Sequence, residues 1–126
     1  MYPFIGLVGP SGSGKTTLIM EAIRALPDQV TMMRSVTTRP RRGPEDVASY
    51  TFVTGEEILK RHTEGHLVNL SEYANNLYAF DRRVLDATLT TRIGIQALVE
   101  SAIQPLRQAG YNLHIVRIIP EGTIDQ

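Results

Sequence analysis

Gly9-Pro10-Ser11-Gly12-Ser13-Gly14-Lys15-Thr16 follows the pattern G-x-x-x-x-G-K-S/T, a spacing suited to phosphate chemistry. Three glycines let the backbone turn tightly enough to aim successive N–H groups into one concavity, a nest for anionic oxygens. Lys15 can set a compact positive charge against β- and γ-phosphates, and the Thr16 hydroxyl suits a Mg²⁺ ion. The helix that begins there, with Thr17 in its first turn, adds the positive end of its dipole. Gly9, Ser11, Gly12, Ser13, Gly14, Lys15, Thr16 and Thr17 are therefore the candidate nucleotide-phosphate ligands. Ser11 and Ser13 read as loop spacers rather than nucleophiles, because no base is placed to activate them.

Such a loop needs a strand before it and a helix after it. Tyr2 to Val8 reads as a short buried strand, and Leu18, Ile19, Ala22, Ile23 and Leu26 share one helical face. Val30 to Val36 predicts a second strand, followed by a polar loop from Thr37 to Ala48. Tyr50 to Val53 predicts a third. Thr54-Gly55-Glu56-Glu57 has the form of a capping box for a helix that Gly65 can end. Leu67 to Leu70 is expected to pair with the Tyr50 strand. Asp81 caps a helix from Arg82 to about Thr90, Ile93 to Val99 is a strand, and Ile103 to Ala109 is a helix. Leu113 to Ile119 is apolar enough for a strand buried in a parallel sheet. This order predicts an α/β fold, a three-layer P-loop NTPase core with a parallel sheet. Residues 1–36 and 81–126 would form that core, and residues 37–80 a small β-rich insertion.

Composition fits one globular domain: 126 residues, 42% hydrophobic and 21% charged. Thirteen basic residues balance thirteen acidic ones, which predicts neither nucleic acid nor a membrane surface as partner. With no cysteine there is no disulfide framework, in keeping with a cytoplasmic location. No apolar run approaches membrane-spanning length. His62, His66 and His114 share no metal spacing with carboxylates.

The basic residues are unevenly spread, with Arg34, Arg39, Arg41 and Arg42 crowded after the second strand. In a doubly wound fold that is a ligand position. Arginine forks match phosphate oxygens bidentately, so this loop suits a phosphorylated acceptor facing the glycine-rich loop. Together the two loops point to phosphoryl transfer between two phosphate-bearing molecules.

These residues resemble the guanylate kinase family. The glycine loop is followed at family spacing by Ser35, Thr37, Thr38, Arg39, Arg42 and Glu45, then Tyr50 with Phe52-Val53, and later Asn76 with Tyr78. The resemblance runs from Phe4 to about Pro120. It implies an ATP- and Mg²⁺-dependent kinase acting on a nucleoside monophosphate, GMP in the family. It implies that Ser35, Arg39, Arg42, Tyr50 and Tyr78 hold the acceptor's phosphate, and that Lys15, Arg39 and Arg42 stabilise charge on the transferred group. Asn69 falls where the family has a glutamate that reads guanine, and Ala79-Phe80 where it has glycine and a hydroxyl residue, adding bulk to the base pocket. Leu98-Val99-Glu100 falls where the family has its D-I/L-D strand, which implies that Leu98 replaces a guanine contact and that Glu100 is the carboxylate near the metal, with Thr16. The phosphate end is preserved and the base end is rewritten.

The family continues past the strand matching Leu113 to Ile119 with an arginine-bearing lid and a last strand. The sequence is therefore expected to be a fragment or a reduced form, with an unpaired sheet edge open to homodimer formation. Two other readings stay open: a kinase of the same fold acting on another phosphorylated small molecule, and a guanylate-kinase-like module that only binds.

Overall fold

The computed structural model describes residues 1–10, 12–44 and 46–119; the candidate ligand Ser11, the motif residue Glu45 and residues 120–126 lie outside the described residues. The chain runs β1 (Phe4–Val8), α1 (Lys15–Ala25), β2 (Val30–Met32), β3 (Ser35–Thr37) and the short α2 (Asp46–Ser49). It continues through β4 (Tyr50–Phe52), α3 (Gly55–Thr63), β5 (Ser71–Tyr73), β6 (Asn76–Ala79) and α4 (Arg82–Thr91). After β7 (Ile93–Ala97) come a 3₁₀ turn (Glu100–Ala102), α5 (Ile103–Gln108) and β8 (Leu113–Arg117).

Successive side chains of a strand point to opposite faces, and β1 is apolar on both. Ile5 and Leu7 pack with Ile19, Ala22 and Ile23 of α1. Phe4 and Val8 pack with Leu85 and Leu89 of α4 and Leu106 of α5. The parallel sheet between these layers has the order β2-β7-β1-β8. Three layers and a parallel sheet are as the sequence predicts. A second sheet, β4-β3-β6-β5, carries the insertion and buries Val36, Ile58, Leu67 and Ala79 beneath α3.

Four local expectations are corrected. The expected strand Val30 to Val36 is two strands in different sheets. Met33 still donates to the Ile95 carbonyl at 2.9 Å, and the chain then leaves the first sheet for the second. Leu67 bridges Asp81 instead of the Tyr50 strand, whose partner is β3. Only half of the capping box forms: Thr54 Oγ1 accepts from the Glu57 amide at 3.1 Å, but the Glu57 carboxylate turns to Arg61 at 2.8 Å. Finally, among the described residues β8 is the edge of its sheet, with Val116 42% exposed, so its apolar run is not covered on both faces. Among the described residues no helix is long and apolar enough to cross a membrane.

Candidate active site

The glycine-rich loop leaves the carboxyl end of β1 and enters α1 with Gly12 at φ 79° and Gly14 at φ 90°. Side chains other than glycine rarely adopt that left-handed region. Gly9 is required for a different reason: a Cβ there would lie 2.9 Å from the Ile118 carbonyl oxygen and 3.0 Å from Ser13 Oγ. Lys15 Nζ folds back over the loop, donating to the carbonyls of Gly9 at 2.6 Å and Pro10 at 2.9 Å. Ser13 Oγ is buried without a hydrogen-bond partner in the described structure. A buried hydroxyl without a partner, in a loop that opens a helix, is suited to an anionic ligand. Thr16 and Thr17 are exposed on the first turn of α1.

The arginine loop leaves β3 and is fastened to β6 by the two threonines before it. Thr37 Oγ1 donates to the Leu77 carbonyl at 2.8 Å and accepts from the Arg39 amide at 3.1 Å. Thr38 Oγ1 accepts from the Leu77 amide at 2.9 Å. The guanidinium of Arg39 lies over the Tyr50 ring, 4.5 Å from its centroid, and Tyr78 stands 6.3 Å from Tyr50. Arg41 lies over Phe52 at 5.4 Å. Arg42 is exposed beyond them. Ser35 is buried and its hydroxyl donates to the Ala79 carbonyl at 3.2 Å. Arg39, Tyr50 and Tyr78 are thus brought together, while Ser35 supports them from the strand below.

The residues expected at the base end are buried and engaged. Asn69 is 5% exposed, with Oδ1 accepting from the Phe80 amide at 3.1 Å and Nδ2 donating to Ser71 Oγ at 3.2 Å. Phe80 adds no bulk to an open pocket, because it packs edge-on against Phe4 in the core, 5.3 Å between centroids. Leu98 is also core, its Cδ1 filling the space above Gly6. β7 ends at Ala97, so Leu98-Val99-Glu100 follows the strand instead of forming its end. Glu100 opens the 3₁₀ turn, exposed, and both its carboxylate oxygens accept from the Arg117 guanidinium. That hydrogen bond and charge hold the Glu100 carboxyl below its ordinary pKa.

The motifs do not single out Gln96 or Arg117, and they include Arg34 only as part of the arginine cluster. Gln96 is buried and bonds to Met33 and Ser49. Arg34 Nη2 donates to the Tyr50 carbonyl at 3.0 Å. Arg117 pairs with Glu100. A lone amide in an otherwise apolar strand was the available signal for Gln96.

Against known proteins, the family model described as Guanylate kinase matches residues 2–123. The guanylate kinase of Rubrobacter xylanophilus is 32% identical over 100 residues, covering 79% of this chain and 51% of that protein. That of Thermotoga maritima is 39% identical over 82 residues, 64% of this chain and 39% of its own. That of Streptomyces kasugaensis is 35% identical over 119 residues, 90% and 56% respectively. The chain thus spans about half the length of the curated relatives it matches. The crystal structure of guanylate kinase from Anaplasma phagocytophilum superposes with a TM-score of 0.69 at 19% identity, over 92% of this chain and 58% of that one. At that identity the likeness is one of fold.

Proposed function

Since the chain belongs to the guanylate kinase family, we propose that it carries the two phosphate sites of an ATP-dependent kinase. The γ-phosphoryl group of ATP would pass to the phosphate of a nucleoside monophosphate, GMP in the family's reaction. The observation that carries this reading is the glycine loop, with Gly12 and Gly14 left-handed and Lys15 folded across it.

The backbone N–H groups of the loop and the start of α1 hold the triphosphate. Lys15 Nζ exchanges the Gly9 and Pro10 carbonyls for β/γ oxygens, and Ser13 Oγ gains a partner. Thr16 is the residue to hold Mg²⁺, which would neutralise charge between the β- and γ-phosphates. We assign Glu100 to its pair with Arg117, which ties the turn after β7 to β8, rather than to the metal. Residues 37–80 form the acceptor unit. In it Arg39 and Arg42 grip the acceptor phosphate, Tyr50 and Tyr78 flank it, and Ser35 and Asn69 hold the strands that present it. An acceptor phosphate oxygen attacks the γ-phosphorus, the bond to the β–γ bridging oxygen breaks, and ADP leaves. The arginines and Lys15 stabilise the charge spread over the moving group.

The test is to incubate the chain with Mg·ATP and GMP and to separate the nucleotides by chromatography. ADP and GDP should form in equal amounts. ADP released without GDP would overturn the acceptor assignment.

A further inference from the structure

Gln96 stands in β7 between Ile95 and Ala97, which both pack in one apolar cluster, and is itself only 3% exposed. Burying an amide without partners costs several kcal/mol, so where its hydrogen bonds go is informative. Nε2 donates to the Met33 carbonyl at 2.8 Å and to the Ser49 carbonyl at 3.1 Å, and Oε1 accepts from the Ala97 amide at 2.9 Å. One planar group therefore joins three segments: the central sheet, the chain leaving that sheet after β2, and the end of α2 in the insertion. Ser49 is followed directly by Tyr50, whose ring carries the Arg39 guanidinium and whose carbonyl takes Arg34.

We propose that Gln96 is a positioning residue for the acceptor phosphate: its amide clasps Ser49, and through Ser49 sets Tyr50 and Arg39 against the sheet that carries the glycine-rich loop. The clasp needs two donors and one acceptor on one rigid plane, which glutamine supplies. Glutamate of the same shape would turn oxygens toward the carbonyls of Met33 and Ser49, and methionine would leave both unsatisfied. The role in acceptor binding rests on the proposed function; the clasp itself does not.

Three measurements separate these. In Gln96→Glu and Gln96→Met without ligand, amide hydrogen exchange over residues 46–53 should rise about tenfold, while exchange in α1 stays unchanged. By calorimetry GMP should weaken about tenfold in both variants and Mg·ADP by less than about twofold. In the wild type the Gln96 side-chain amide protons should exchange slowly and shift on adding GMP, which requires no folded variant. Quiet 46–53 exchange in the variants, or wild-type amide protons exchanging like surface ones, would overturn the clasp. Equal weakening of GMP and Mg·ADP would overturn the positioning role. A wild type that binds Mg·ADP and not GMP would instead count against the proposed acceptor, and the exchange data would still decide the clasp.

Discussion

The Arg39 guanidinium stacks on the Tyr50 ring at 4.5 Å from its centroid while Arg39 remains 7% exposed. A flexible arginine loses side-chain entropy when it grips a ligand. Here the aromatic face has already fixed the fork, and the Arg39 amide is held by Thr37 Oγ1.

Removing that face should therefore loosen acceptor binding without removing a charge. Tyr50→Leu should weaken GMP by about tenfold, the upper range for a partly desolvated cation–π contact, and Tyr50→Phe by far less. Calorimetry on the two variants checks this. Equal affinities for wild type and Tyr50→Leu would mean that the stack does not prepare Arg39.

Asn69 makes a different prediction, because its amide is engaged inside the insertion. Asn69→Ala leaves the Phe80 amide without its acceptor and should cost about 1–3 kcal/mol in denaturant unfolding. With Asn69 engaged and Leu98 in the core, neither position offers guanine a carboxylate. The wild type should prefer GMP over AMP by less than about a hundredfold, well below what matched buried acceptors give. Competition binding measures the ratio, and a larger preference would place base recognition on other residues.

Tyr111 donates to Asp86 at 2.7 Å, and burial, reinforced by that carboxylate, pushes its hydroxyl up to about 12 from 10.0. The folded state thus keeps a proton that the unfolded state releases earlier, so stability should hold up to about pH 10 and fall as pH rises toward 12. Tyr111→Phe should lose about 1–2 kcal/mol at neutral pH and lack that alkaline fall. Chemical unfolding of both proteins across the pH range reads the difference.

The shape of the glycine-rich loop was legible in sequence because it depends on local chemistry. Gly12 and Gly14 supply a backbone shape, and Lys15 sits at a fixed offset from them. Asp81 was likewise readable as a cap, and it accepts from the Arg83 and Val84 amides. Long-range pairing was not. Val30 to Val36 has one apolar pattern, yet Arg34 turns to Tyr50 and the chain crosses between sheets. The β5–β6 hairpin turns at Ala74 and Asn75, both with positive φ, and alanine gives no sign of that conformation. Phe80 and Leu98 could be assigned to a pocket or a core only once their neighbours were known.

The central claim is that one chain holds two separate phosphate sites, and crossed calorimetry tests it most directly. Lys15→Ala should weaken Mg·ATP by about 2–3 kcal/mol, the range for a charge-assisted contact, and leave GMP unchanged. Arg39→Ala should do the reverse. Two variants that each weakened both ligands alike, or neither, would contradict the two-site account.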